Sequence, residues 1–226
     1  LDANVYVQIE PIKNLSFKTV YGISYGASEY RAYTPKYQFT PQTANTVSKV
    51  NQSHGHGLSM VWTNTLSYDF NIATEHHINA LIGSELSTYD GSNTEGSNTG
   101  LIPGFDDWDH AYLVNTNGTE NKTVKGSPYD STRGMSYFAR LGWTWKERYM
   151  VNATMRADGS SKFAKGNRWG YFPSVSAGWT ISEEKFMESV KSWFDFLKIR
   201  VSWGQVGNAN INCYQYLAPV STTNTN

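Results

Sequence analysis

One cysteine, Cys213, stands in 226 residues, so no intrachain disulfide framework can form. No apolar run approaches the roughly 18 residues that a membrane helix needs, which excludes a helical membrane protein. The charge has no excess of either sign, with 19 basic and 19 acidic residues, so nothing electrostatic points to nucleic acid. Hydrophobic residues are also modest, at 39%. None of this excludes a β-barrel in a membrane, because its strands alternate lipid-facing and lumen-facing residues and average out as polar. Aromatics, by contrast, are abundant at 15%, with 15 Tyr and 8 Trp. An excess of Tyr and Trp suits the two interfacial girdles of such a barrel. Leu1 opens the chain without a signal peptide, and a polar string, Ser221–Asn226, closes it. Both ends are those expected of cuts through a longer protein.

Period-2 alternation is the dominant pattern. In residues 137–145, Tyr137, Ala139, Leu141, Trp143 and Trp145 share one face, while Phe138, Arg140, Gly142 and Thr144 share the other. Tyr149, Val151, Ala153, Met155 and Ala157 likewise oppose Asn152, Thr154, Arg156 and Asp158. Val175, Ala177, Trp179 and Ile181 oppose Ser176, Gly178 and Thr180, and Leu197, Ile199, Val201 and Trp203 oppose Lys198, Arg200, Ser202 and Gly204. Such alternation predicts strands with one apolar and one polar face. Leu15–Tyr25, Ile78–Leu86, Trp62–Tyr68 and a strand around Val5, Val7 and Ile9 bring the expected number to about eight. Arg140, Arg156, Lys198 and Arg200 then project from the same side of the sheet. In a barrel, that side is the lumen.

The connections are expected to alternate as well. Pro11–Asn14, Asn71–Glu75 and Lys146–Arg148 read as tight turns, and 27–57, 88–134 and 158–173 as long polar loops. Short turns at one end and long loops at the other is the outer-membrane arrangement, with periplasmic turns and extracellular loops. Glu183–Phe196, with Phe186, Met187, Val190, Trp193 and Phe194 on one side, is the exception and predicts a short amphipathic helix at the turn end.

Several ordered runs carry a resemblance. They are Leu15–Gly22, His77–Glu85, Tyr137–Tyr149, Arg156–Phe163, Asn167–Trp179, Leu197–Arg200 and Gly204–Asn208. Together they closely resemble the SusC/RagA family of TonB-dependent outer-membrane transporters. The resemblance implies an all-β fold, with about eight antiparallel strands of a larger, 22-strand type barrel whose lumen is closed by a plug. On that basis, residues 1–226 are part of one barrel domain, with the plug and the TonB-binding segment lying N-terminal and outside it. It further implies import of oligosaccharides or peptides across the outer membrane of a Gram-negative, Bacteroidota-like bacterium. The implied partners are a SusD-like surface lipoprotein and the TonB–ExbB–ExbD system.

Other chemistry fares less well. His54-Gly55-His56 reads as an exposed loop rather than a metal pair. Asp106, Asp107, Asp109 and His110 match no EF-hand spacing. There is no Gly-x-Ser-x-Gly elbow, and Glu183-Glu184 is a poor glycosidase pair, so no catalytic residues, metal or cofactor are assigned. Phe105, Trp108, Tyr112 and Trp169 remain as loop aromatics suited to stacking on sugar rings or meeting a partner. The alternative is a soluble all-β carbohydrate-binding module; a glycan-active enzyme is a third reading, without an acid/base pair to support it.

Overall fold

The computed structural model describes residues 1–119, 122–190, 193, 195–211 and 213. Its strands are β1 (Asp2–Ile12), β2 (Leu15–Thr34), β3 (Tyr37–Thr40), β4 (Thr43–Asn45), β5 (Lys49–Ile72), β6 (His76–Thr99), β7 (Thr123–Trp145), β8 (Tyr149–Ser160), β9 (Trp169–Thr180) and β10 (Lys198–Gly204). Eight of them form one sheet in the order β1-β2-β5-β6-β7-β8-β9-β10, with β1 and β10 at its edges; β3 and β4 make a separate hairpin. All eight expected strands are present. The fold is all-β, and over the described residues the barrel is not closed.

Two expectations on length need correction. The loop predicted at 27–57 is largely strand and those at 88–134 and 158–173 are about half strand, because β2, β5, β6 and β7 run for 20, 24, 24 and 23 residues and β8 and β9 take the two ends of the last. True connections remain only at 35–48, which holds the β3–β4 hairpin, at 100–122 and at 161–168. Crossing a bilayer takes about 9–11 strand residues, so the four long strands have more than that crossing needs. The predicted helix at Glu183–Phe196 is also different. Two 3-10 segments, Ile181–Glu183 and Lys185–Val190, occupy its first half, and Phe194 lies outside the described residues.

The turns fall where expected. Between β7 and β8, Arg148 N–H donates to the Trp145 carbonyl (2.9 Å), and the two central residues, Lys146 and Glu147, both have positive φ (49° and 57°). That is the I′ conformation, whose twist matches the flanking strands of a hairpin.

Contacts divide the chain into two compact units. One comprises Leu1–Asp2, Ser24–Ser59 and Tyr89–Ser131. It has a small core in which Val50, Leu101 and Ala111 are buried and Tyr33 and Leu113 pack against them. Ser48, also buried, holds residues 100–101 in place: its carbonyl accepts from Gly100 N–H (2.9 Å) and its hydroxyl from Leu101 N–H (3.0 Å). The other unit comprises Ala3–Ile23, Met60–Thr88 and the described residues from Thr132 onward. It has no such core. Its large apolar side chains stand exposed, including Val201 at 68%, Ile82 at 58% and Leu141 at 54%.

Candidate functional site

Register decides what those exposed side chains form. β7 pairs with β8 through Leu141↔Ala153, Trp143↔Val151 and Trp145↔Tyr149. β8 continues to β9 through Ala153↔Val175, Val151↔Ala177 and Tyr149↔Trp179, and β9 to β10 through Val175↔Trp203, Ala177↔Val201 and Trp179↔Ile199. Because side chains alternate strictly along a strand, these rows all lie on one face of the sheet. The alternation read from sequence in four separate segments is therefore one continuous apolar surface.

Both ends of this surface are aromatic. At the turn end, Trp143 and Trp145 stack with His76 (5.8 and 5.9 Å between centroids), Trp145 with Tyr149 (5.4 Å), and Tyr149 with Trp179 (6.3 Å). At the loop end, Tyr137 stacks with Trp169 (6.1 Å), and Tyr171 is level with Ala157 and Tyr137 in the register. The ten residue steps from Trp169 to Trp179 span roughly 33 Å of extended strand, or about 25 Å once the strand tilts by about 40°, matching the apolar band of an outer-membrane barrel.

The polar tips of the turn-end rings are satisfied by turn residues. Trp143 Nε1–H donates to His76 Nδ1 (3.1 Å), Trp145 Nε1–H to Glu75 (3.4 Å), and Trp179 Nε1–H to Glu184 (3.1 Å). Glu184 also accepts from the Tyr149 hydroxyl and pairs with Arg148 (3.3 Å). The Tyr149 hydrogen bond, then that from Trp179, and the Arg148 charge hold the Glu184 carboxyl below its ordinary range. Each ring is thus apolar along its body and anchored at its tip, as suits a boundary between lipid and water.

The opposite face carries the four predicted cations. Arg140 is level with Thr154 and Ser174, Arg156 with Phe138 and Phe172, Arg200 with Gly178, and Lys198 with Thr180. All four belong to one face. Arg156 is the hub of a network, with ion pairs to Asp158 (2.7 Å) and Glu85 (3.2 Å) and its guanidinium 5.4 Å from the Phe138 ring centre. The Phe138 ring lies directly on Gly83, where an added Cβ would meet it at 2.4 Å, so only glycine admits that ring.

Three of the four predicted contact aromatics come together in the first unit. Trp108 and Tyr112 hold the Arg31 guanidinium, whose centre is 4.3 Å from one ring and 4.2 Å from the other. Phe105 stacks on His110 at 4.9 Å. Asp106 pairs with Lys36 (2.9 Å), and hydrogen bonds from Lys36 and then Ser48 keep its carboxyl below the usual range. Asp107 is lowered too, chiefly by the His110 ring and then by the His110 N–H. Asp106 and Asp107 are thus engaged by Lys36 and His110, and Trp108 is still 51% exposed. Trp169, expected in a loop, instead opens β9 and belongs to the second unit. His54 and His56, also expected in a loop, lie inside β5, where His54 approaches Glu29 (4.0 Å) and His56 meets Ser92 (3.2 Å). Arg31, Lys36, His76 and Glu184 were not legible, since each partner pair joins segments with no common spacing.

Comparison with known proteins agrees with this geometry. Residues 4–226 match the family model described as TonB-dependent receptor-like, β-barrel. A TonB-dependent receptor of Formosa agariphila is 29% identical over 224 residues, which are 94% of this chain and 20% of that receptor. The TonB-dependent receptor SusC of Bacteroides thetaiotaomicron is 51% identical over 77 residues, 34% of this chain and 8% of SusC. Among solved structures, the RagAB peptide transporter superimposes with a TM-score of 0.81 at 25% identity, covering 100% of this chain and 24% of the matched one. The chain spans about a fifth of the length of the receptor it matches almost end to end.

Proposed function

This chain belongs to the TonB-dependent receptor-like β-barrel family, in its SusC/RagA branch, and from that premise we propose that it is wall of an outer-membrane nutrient importer. The family is one of transporters and receptors, not of enzymes. The observation that carries the reading is the girdled apolar face. A soluble protein does not leave Leu141, Val175, Val201 and Ile82 open on one sheet surface bounded by aromatic rows at both ends. Lipid covers that face, and the face bearing Arg140, Arg156, Lys198 and Arg200 lines the lumen.

The imported substrate is an oligosaccharide or a peptide, delivered by a SusD-like surface lipoprotein and drawn through with energy from TonB–ExbB–ExbD. The cell is a Gram-negative bacterium of the Bacteroidota. Phe105, Trp108 and Tyr112 are the residues that meet cargo or the lipoprotein, because they lie together on a folded loop and stay exposed. Trp169 takes a place in the loop-end girdle, stacked on Tyr137.

The test is a nitroxide placed in turn at Val151 and Asn152 of the full-length protein, in lipid bilayers. Oxygen should relax the first label and a water-soluble nickel chelate the second. The reverse pattern, or equal access at both, rules the orientation out. Growth of a deletion strain on defined oligosaccharides and peptides then separates the two substrate classes.

A further inference from the structure

Arg31, near the end of β2, carries a positive charge for which the fold supplies rings and no carboxylate. Its guanidinium centre is 4.3 Å from the Trp108 ring centre and 4.2 Å from that of Tyr112. Among the described residues it makes no ion pair and no hydrogen bond, and its Nη1 is buried without an acceptor. A guanidinium has five N–H donors in a planar fork that matches a carboxylate two at a time. Burying one of those donors without an acceptor is costly, and such a group in a native fold calls for an explanation.

A shortage of carboxylates does not explain it. The loop that carries the two rings also carries Asp106, Asp107 and Asp109. Asp106 goes to Lys36 (2.9 Å), and Asp107 goes to the His110 ring (2.8 Å) and the His110 N–H (2.9 Å). Asp109 follows Trp108 directly and does not pair with Arg31. Backbone bonds set this arrangement. Ala111 N–H donates to the Trp108 carbonyl (3.3 Å), Tyr112 N–H to the His110 carbonyl (2.8 Å), and Leu113 N–H to Gln52 Oε1 (2.8 Å). The loop thus fixes the rings, and the rings fix Arg31. Aromatic faces hold a guanidinium by its charge and plane without using its N–H donors. Trp108 and Tyr112 are 51% and 40% exposed, so the cage lies at the surface, within reach of an acceptor from solvent.

We infer that this cage binds a carboxylate of the imported molecule, taken by the Arg31 fork between Trp108 and Tyr112. The cargo is then acidic, a uronate-bearing oligosaccharide or a peptide with acidic side chains. A neutral sugar or amide leaves the Arg31 charge unmatched. The three carboxylates of the loop oppose a doubly charged phosphate more than a singly charged carboxylate. The inference rests on the reading that Trp108 and Tyr112 meet cargo.

The experiment is calorimetric titration of the full-length protein in detergent with two matched pairs of probes. One pair is trigalacturonate and its methyl ester; the other is tetraglutamate and tetraglutamine, both amidated at the C-terminus. The wild-type protein should bind the acid of one pair about tenfold tighter than its neutral mate, as expected of one charge-assisted contact, and the pair that responds identifies the source. In Arg31→Gln that ratio should fall to about one. Arg31→Lys, which keeps the charge and loses the fork, should retain part of it. Because the ratio compares two ligands on one protein, a loop loosened by the substitution weakens both and leaves the ratio unmoved. No acid preference in the wild-type protein for either pair, or the same preference in Arg31→Gln, overturns the site. An unchanged ratio together with weaker capture of the lipoprotein by Arg31→Gln would assign the carboxylate to that partner instead. Growth of the deletion strain distinguishes the two failures. If growth is lost on a neutral substrate, the importer stands and only the acidic cargo is refuted; if it is lost on none, the importer reading itself falls.

Discussion

The centre of the girdled face is the row Leu141–Ala153–Val175–Trp203, four residues along each of β7, β8 and β9 from the Trp145–Tyr149–Trp179 row and four from the loop-end Tyr137 on β7 and Tyr171 on β9. An arginine in that row has no partner and no short route to water. Val175→Arg in the full-length protein is therefore expected to cost about 2–4 kcal/mol, the cost of a cation on the lipid face at the bilayer midplane. Val151→Arg sits one row nearer the turn-end girdle, about 7 Å along the strand, so its guanidinium can reach the interface and its cost should be smaller. Ser176→Arg is the control. Its side chain points to the other face, level with Asn152 and Ser202, and should cost well under about 1 kcal/mol. The assay is folding into liposomes across a urea series, with folded protein scored by heat-modifiable migration on a gel. At the middle of the range, Val175→Arg lowers the folding constant about a hundredfold. Equal damage from Val175→Arg and Ser176→Arg, or a larger cost at Val151 than at Val175, would refute the assignment of faces and of the midplane.

Glu184→Gln should destabilise the turn-end girdle at neutral pH. Since the native carboxyl is held below its ordinary range, its contribution is complete above the unfolded value of about 4.3 and disappears as pH falls through the native one. The difference between wild type and variant in thermal unfolding should therefore close in acid; a difference that is constant with pH contradicts this. Arg31→Ala should free Trp108 and Tyr112, forfeiting two cation–π contacts worth about 0.5–1 kcal/mol each at exposed sites, and raise hydrogen exchange in residues 100–119. Unchanged exchange there would show that the loop is held by its Val50, Leu101 and Ala111 core alone. Phe105→Ala combined with Tyr112→Ala should leave the amount of protein in the outer membrane unchanged and lower growth on the imported substrate, and normal growth at normal levels would remove these rings from the contact surface.

Strand number, and which residues share a face, were legible because an apolar side and a polar side write a period of two into the sequence. Where that contrast ends, so does the signal. Ser24–Thr34, Lys49–Ser59, Tyr89–Thr99 and Thr123–Ser131 continue their strands in Gly, Ser, Asn, His and Thr, a composition that reads as loop. Backbone pairing with neighbours sustains them, and pairing leaves no mark on hydropathy. The β3–β4 hairpin is too short, at four and three residues, for alternation to declare itself. The cluster around Trp108 was half legible. Aromatic and acidic residues in one polar stretch drew attention to it, but Arg31 and Lys36, about 70 residues earlier, could be supplied only by the fold.

In the large sheet, spatial order follows chain order without a crossover. Each strand therefore needs only its predecessor in order to be placed, and the loop that must close for each new pairing is the connection between two consecutive strands. The entropy of closing such connections grows slowly with their length, so each addition costs much the same wherever it occurs in the chain. A wall built this way can grow hairpin by hairpin from either edge. Inserting or deleting one pair of strands would leave the register of every other pair untouched, so barrels of different circumference lie a single hairpin duplication apart.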